Sequence, residues 1–318
     1  MRGPPREHGT RSVLQKRTFA ASTRSVERTT SPPAPLHPPI ANATPEPFAN
    51  AASAHRLAAP WSTRAFAATM IGLGIVGLIE GDFALVWQRI PIDPLPGREA
   101  IAYASAAVEL AGGIGLLIAR THALAARVLF VFIALWLVLL KLPAVLLVPQ
   151  MEATWLGFGE IAAILAGAWI PFATDAGLQQ PRRLTFLAGS TGIRCARWLF
   201  IASLPMIGLS HFVYAAQTAA YVPHWLPFPL GWAYLTGAGS LAACLGLALG
   251  VAPRLAATLE AAMLGVITAL VWAPGLFALP PDRTQWTGFL ISAAIACGAW
   301  TVADTYRSTR WLAAHRPP

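Results

Sequence analysis

The stretch Ala123-Leu-Ala-Ala-Arg127-Val-Leu-Phe130-Val-Phe-Ile-Ala-Leu-Trp136-Leu-Val-Leu-Leu-Lys141-Leu-Pro143-Ala-Val-Leu-Leu147 carries only two charged residues. A hydrocarbon core of about 30 Å takes roughly 20 helical residues to cross, and this run exceeds that length. Its apolar residues do not alternate with polar ones, as the strands of a transmembrane barrel would. A helix satisfies its own backbone hydrogen bonds in lipid, so helix is the form expected here. Gly, Pro and charged residues mark off seven further runs, near 62–87, 99–118, 152–172, 194–218, 229–249, 254–278 and 285–303. The expected fold is therefore an all-α polytopic membrane protein with eight transmembrane helices, and its first partner is the lipid bilayer.

Composition agrees. Of 318 residues, 56% are hydrophobic and 12% charged, with a mean hydropathy of +0.55. A soluble domain carries about a quarter charged residues. The net charge of +9 does not indicate nucleic acid, because the basic residues flank apolar runs instead of interleaving with aromatics on one face. Eight spans bring both ends to one side. Arg120, Arg127, Arg182, Arg183, Arg194, Arg197, Arg254, Arg307, Arg310 and Arg316 fall on that side, whereas the opposite loops hold Arg89, Arg98 and Arg283. The positive-inside bias then predicts cytoplasmic termini. Residues 1–60 are rich in Arg, Ser, Thr and Pro, lack a hydrophobic period, and are expected to form a disordered cytoplasmic tail. They contain no apolar core of a secretory signal. The three cysteines, Cys195, Cys244 and Cys297, form neither a Cys-x-x-Cys pair nor a metal-ligand spacing.

The two halves align without a gap. Tyr103 matches Tyr234, an offset of 131 residues, and the same shift pairs Gly77 with Gly208, Leu95-Pro96 with Leu226-Pro227, and Gly115-Leu116 with Gly246-Leu247. It also pairs Pro143 with Pro274, Trp155 with Trp286, and Gly167-Ala168-Trp169 with Gly298-Ala299-Trp300. The chain is thus expected as two tandem four-helix bundles, 61–172 and 194–305, joined by a cytoplasmic linker, 173–193, and followed by a basic tail, 306–318. Four spans per unit give both copies one orientation, a parallel repeat.

The text Val108-Glu-Leu-Ala-Gly-Gly-Ile-Gly-Leu-Leu-Ile-Ala-Arg120, followed by Leu124-Ala-Ala, resembles the DoxX family. So does Val222-Pro-His-Trp-Leu-Pro227, leading into Tyr234-Leu-Thr-Gly-Ala-Gly-Ser-Leu-Ala-Ala-Cys-Leu-Gly-Leu247. The resemblance covers roughly residues 65–304 and makes each repeat one DoxX-like unit. It implies membrane redox work, a quinone ligand, and a bacterial-type plasma membrane. The family's Thr-Gly followed by Glu is split between the copies: the first keeps Glu109 with Ser105-Ala106, and the second keeps Thr236-Gly237 with Ser240.

A charge near the bilayer centre costs at least about 2.5–3.5 kcal/mol. The first unit nevertheless contains Glu80, Asp82, Glu109, Lys141 and Glu160, with Glu109 and Glu160 near mid-depth and the others toward the outer side. Their mates at +131 are His211, Val213, Ser240, Trp272 and Ile291, so the polar set is concentrated in the first unit. The expected site is an acid-biased, proton- or quinone-handling pocket in the first bundle, with a residual site at His211 in a second bundle that is mainly scaffold. The competing reading is a Lys141–Glu160 or Lys141–Glu109 pair that only fixes packing. Glu260 is expected to snorkel or to pair with Arg254, and His224 to be a solvated loop residue. Gly72-Leu-Gly74-Ile-Val-Gly77 spells the dinucleotide fingerprint but lacks its strand, so it reads as helix packing together with Gly81. Tryptophans near span ends read as interfacial anchors. There is no NAD, haem or metal motif. Three functions compete: a quinone-binding membrane subunit with a soluble redox partner, a small-solute or proton-coupled transporter, and a non-catalytic scaffold.

Overall fold

The computed structural model describes residues 59–84, 96–179, 186–277 and 282–314. The expected disordered tail up to residue 58, together with Arg89, Arg182, Arg183 and Arg316, lies outside the described residues. Among those described, eight helices are long and apolar enough to cross a membrane. They are α1 Trp61–Glu80, α2 Arg98–Leu117, α3 His122–Leu147, α4 Glu152–Gln179, α5 Gly189–Val213, α6 Pro229–Ala248, α7 Pro253–Phe277 and α8 Arg283–Asp304. A short helical segment, Ala215–Ala220, follows α5.

Several boundaries differ from the sequence reading. The first span, expected to reach residue 87, stops at Glu80, because Gly81 turns into the left-handed region (φ 63°) and donates its N–H to the Gly77 carbonyl. The fourth runs past residue 172, so part of the expected linker is helical. Thr174 there donates its hydroxyl back to the Ile170 carbonyl at 2.8 Å, and Asp175 stands 3.6 Å from His122, so these polar residues are absorbed without ending the helix. The fifth ends at Val213, because Tyr214 leaves helical geometry at φ −108° and ψ 38°.

Spans three and seven are not uniform α-helix. Each contains a π-helical turn, Leu137–Lys141 in α3 and Thr268–Trp272 in α7. The two turns are repeat mates, and each precedes a mate proline, Pro143 or Pro274. Proline offers no N–H and crowds the carbonyl one turn before it. A locally widened turn accommodates both effects, and such turns recur at functional sites.

The repeat holds in three dimensions. A Cβ built on Gly77 would lie 2.8 Å from the Ala106 Cβ, and its mate on Gly208 would lie 3.0 Å from the Gly237 carbonyl. Gly115 meets Ala125 as Gly246 meets Ala256, and Gly157 meets Lys141 as Gly288 meets Trp272. Even the αL residue before α2, Gly97 (φ 71°), has an αL mate before α6, Phe228 (φ 57°).

The units interlock. α5 packs on α4, and in the same way α1 packs on α8, so each unit's first helix rests on the other unit's last. The α4–α5 contact of Gly159 with Ser203 recurs as the α8–α1 contact of Leu290 with Gly72. At the centre, α4 and α8 cross where Gly167 touches Gly298, its own mate. A residue meeting its own equivalent marks a two-fold axis. For a parallel repeat that axis runs along the membrane normal. Within the spanning windows of α4 and α8, 72% and 67% of residues are buried, against 22% in α7. The inner pair forms the core, and the outer helices present their apolar side chains to lipid.

Candidate functional site

The outer charges come first along the chain. With α1 ended by Gly81, Asp82 sits in the turn just beyond the span, where it accepts the Phe83 N–H at 2.8 Å and an Arg98 guanidinium N–H at 3.0 Å. Arg283, at the start of α8, approaches Asp82 at 3.5 Å and Glu80 at 3.9 Å, and donates to the Phe83 carbonyl at 2.7 Å. Burial, the largest single influence, pushes the Asp82 carboxyl up. The Phe83 N–H, Arg98 and Arg283 together outweigh burial and hold the group below its ordinary range. Glu80 and Asp82 thus belong to an ion-pair cluster at the helix ends that ties the first unit to the second. At the opposite end of the same helix pair, Ser62 donates to Asp304 at 2.5 Å, so the α1–α8 interface is fastened at both ends. Sequence reasoning treated Arg98 and Arg283 only as loop cations. Their positions beside the span ends were the available signal.

Among the described residues, two carboxyl-bearing residues are almost wholly sealed from the surface, one in each unit. Glu109 lies on α2 and is 1% exposed; Glu260 lies on α7 and is 2% exposed. Glu260 accepts the Ser240 hydroxyl at 2.8 Å, and Ser240 is itself 2% exposed. The expected pairing of Glu260 with Arg254 does not occur. Six residues along a helix turn through about 600°, which puts the two side chains on different faces. Arg254 instead donates to the Thr309 carbonyl at 3.3 Å.

Register makes the comparison sharper. The mate of Glu109 is Ser240, and the mate of Glu260 is Leu129. In the first unit the carboxyl stands on the second helix and a leucine on the third. In the second unit the carboxyl stands on the third helix and a small hydroxyl on the second. Gly112, one turn after Glu109, packs against Leu129, so the two positions face each other across the same contact in both copies. The second unit has therefore not lost its acid. It carries the acid on the other helix.

The remaining candidates are spread out. Lys141 occupies the last position of the α3 π turn, with its Nζ 3.4 Å from where a Gly157 Cβ would sit. It attracts the partly buried Glu160 carboxyl electrostatically, while Glu152 repels that carboxyl. His211 shares a hydrogen bond through Nδ1 with the Thr236 hydroxyl at 2.8 Å, joining α5 to α6. His224 is exposed, as expected of a loop residue. The structure thus places Glu80 with Asp82, and Lys141 near Glu160, while His211 stands at the α5–α6 contact with Thr236. Sequence reasoning missed Glu152, whose two carboxylate oxygens are buried without a hydrogen-bond partner, and the His122–Asp175 pair. Both lie at span ends, where a charge on its own raises no alarm.

The dinucleotide spelling falls wholly within α1. Gly74 closes on the backbone of Leu110 and Ala106, and Gly77 on Ala106, so these glycines serve helix contact. Gly81 also approaches α2, where a Cβ would lie 2.8 Å from the Tyr103 hydroxyl, and it forms the left-handed cap of α1. Among the described residues, no group of three His, Cys, Asp or Glu side chains is placed to hold a metal ion.

Fold and placement of charge define an all-α, multi-pass membrane protein of two interlocked four-helix units, with a deeply buried glutamate on α2 and another on α7. No family model, curated protein or solved structure matches the chain.

Proposed function

We propose that the chain is a DoxX-like subunit of a redox assembly in a bacterial-type plasma membrane, with cytoplasmic termini, that binds a quinone or another lipophilic acceptor and moves protons through its buried carboxyls. Reducing a quinone to a quinol takes two electrons and two protons. This reading assigns the electrons to a soluble partner and the proton transfers to Glu109 and Glu260. One observation carries it: each unit keeps a carboxyl at the same helix contact, though on a different helix. A group required only for packing has no reason to reappear on the facing side.

The test is purification in native lipid, followed by mass analysis of what stays bound and by infrared titration of carboxyl groups. The expected result is a redox-active quinone together with a carboxyl band that weakens in Glu109→Gln and in Glu260→Gln. Absence of a quinone, with both variants leaving the carboxyl band unchanged, refutes the reading. A second reading, proton-coupled transport of a small solute, is favoured by the mate π turns in α3 and α7, which supply paired weak points in two spans. Proton-dependent uptake by reconstituted vesicles distinguishes it.

A further inference from the structure

The two units differ in side-chain volume where their third and fourth helices meet, toward the arginine-rich end. In the first unit Phe130 stacks on Phe172 with ring centroids 4.7 Å apart and planes 5° apart, and it meets Trp169 at 5.1 Å. The mates of these residues are Ala261, Ala303 and Trp300. Val131, Ala134 and Leu165 likewise become Ala262, Gly265 and Ala296. All five aliphatic or phenyl positions shrink while the indole stays.

The result is a groove of about 470 Å³ between α7 and α8, lined by the shrunken positions and by Trp300. That volume lies within the range of roughly 300–1,000 Å³ typical of small-molecule sites. A Cβ built on Gly265 would meet nothing within 4 Å. Because α7 is the least buried span, the groove faces lipid.

Its rim carries Arg254, Arg307 and Asp304. Asp304 is already engaged, by Arg307 at 2.8 Å and by the Ser62 hydroxyl at 2.5 Å. Arg254 has no carboxylate within ion-pair distance among the described residues, and its guanidinium lies 4.1 Å over the Trp311 ring. Apolar walls under a net positive rim call for an occupant with an anionic head and a hydrocarbon body. A neutral quinone leaves the cation unanswered, and free phosphate leaves the walls bare.

We propose that this groove binds one anionic phospholipid, its phosphate at Arg254 and an acyl chain along the alanine-lined wall beside Trp300. The site is separate from the proton-handling carboxyls: Glu109 lies on α2, and Glu260, though beside Ala261 on α7, is engaged by Ser240 on α6.

The test is native mass spectrometry of the full chain in detergent, offered equal amounts of phosphatidylglycerol and phosphatidylcholine with identical acyl chains. Wild type is expected to retain one phosphatidylglycerol in preference. Arg254→Gln is expected to cut that preference about fivefold, the contribution of one surface arginine to holding an anionic lipid. Ala261→Phe combined with Ala303→Phe, which rebuilds the first unit's aromatic stack, is expected to abolish retention. The Arg254→Gln readout stands even where the refilled variant fails to fold. Glu109→Gln is expected to leave lipid retention unchanged, which separates this site from the proton reading. Equal retention of the two lipids by wild type, undiminished retention by a folded refilled variant, or displacement of the phospholipid by an equal amount of ubiquinone overturns the proposal.

Discussion

Removing the Ser240 hydroxyl tests whether the second unit's carboxyl is held where the structure puts it. Ser240 and Glu260 are each 2% exposed, and their oxygens are 2.8 Å apart, so Ser240→Ala leaves a buried carboxyl without its donor. In water-soluble proteins, leaving a buried partner without its hydrogen bond costs about 1–3 kcal/mol. Membrane helices give less, about 0.6 kcal/mol on average and about 1.7 at most, because the unfolded chain in lipid also finds partners. With both groups sealed from water the upper end applies, and Ser240→Ala is expected to cost about 1.5 kcal/mol. Adding Glu260→Leu installs the side chain that stands at the equivalent position, Leu129, in the first unit. The double variant is therefore expected to recover most of that loss, since replacing both partners with apolar groups of suitable shape is nearly neutral. Reversible unfolding in mixed micelles, run as a double-mutant cycle, measures the coupling. Simple additivity, or a neutral Ser240→Ala, refutes the assigned contact and with it the transposed-carboxyl reasoning.

Gly167→Ala places a methyl on the Gly298 backbone at the crossing of α4 and α8, and overpacking of this kind costs about 1–3 kcal/mol. Thermal unfolding in detergent checks it, and an unchanged melting temperature refutes the close crossing. Phe228, at φ 57°, holds a conformation that costs an L-residue about 1–2 kcal/mol, so Phe228→Gly is expected to raise stability by about 1 kcal/mol in chemical unfolding. Asp82 is held below its ordinary range, so its clamp on Arg98 and Arg283 is complete above about pH 4 and is lost as pH falls through its depressed value. A melting temperature followed downward from pH 7 is expected to drop in that acid window for wild type, and Asp82→Asn is expected to lie lower at neutral pH and to show a smaller acid drop. Parallel curves would refute the clamp.

The spans were legible because a bilayer imposes a length and an apolar composition that no packing detail can override. The repeat was legible because Gly, Pro and Trp at one offset are costly coincidences, and the same residues make the mate contacts. Three things were not legible. Helix ends at Glu80 and Gln179 depend on a left-handed glycine in one case and on polar side chains finding partners in the other, and neither shows in a hydropathy pattern. The π turns arise from the way a proline strains the preceding turn, a response of the backbone and not of composition. Glu260 was underrated because its charge was weighed along its own helix, where the cation six residues back looked available. Its actual partner is on the neighbouring helix. A search for acids opposite Ser240, the residue standing where the first unit has Glu109, would have found it.

Divergence between the copies separates what the fold tolerates from what it compensates. Losing Phe130 and Phe172 from the first unit would remove two buried rings from a stacked cluster, and truncating a packed phenylalanine to alanine costs about 3–5 kcal/mol where the space stays empty. The second unit has alanine at both mates, and α7 and α8 still pack on each other there. A groove open to lipid escapes that cost, because hydrocarbon from the bilayer can supply the contacts the rings once made. The carboxyl is treated differently. Where the first unit has Glu109 and Leu129 the second has Ser240 and Glu260, in a setting where inserting a charge costs at least about 2.5–3.5 kcal/mol. Bulk on the lipid side can differ between the copies because lipid can replace it, whereas both copies bury an acid at this helix contact, one on each of the facing helices.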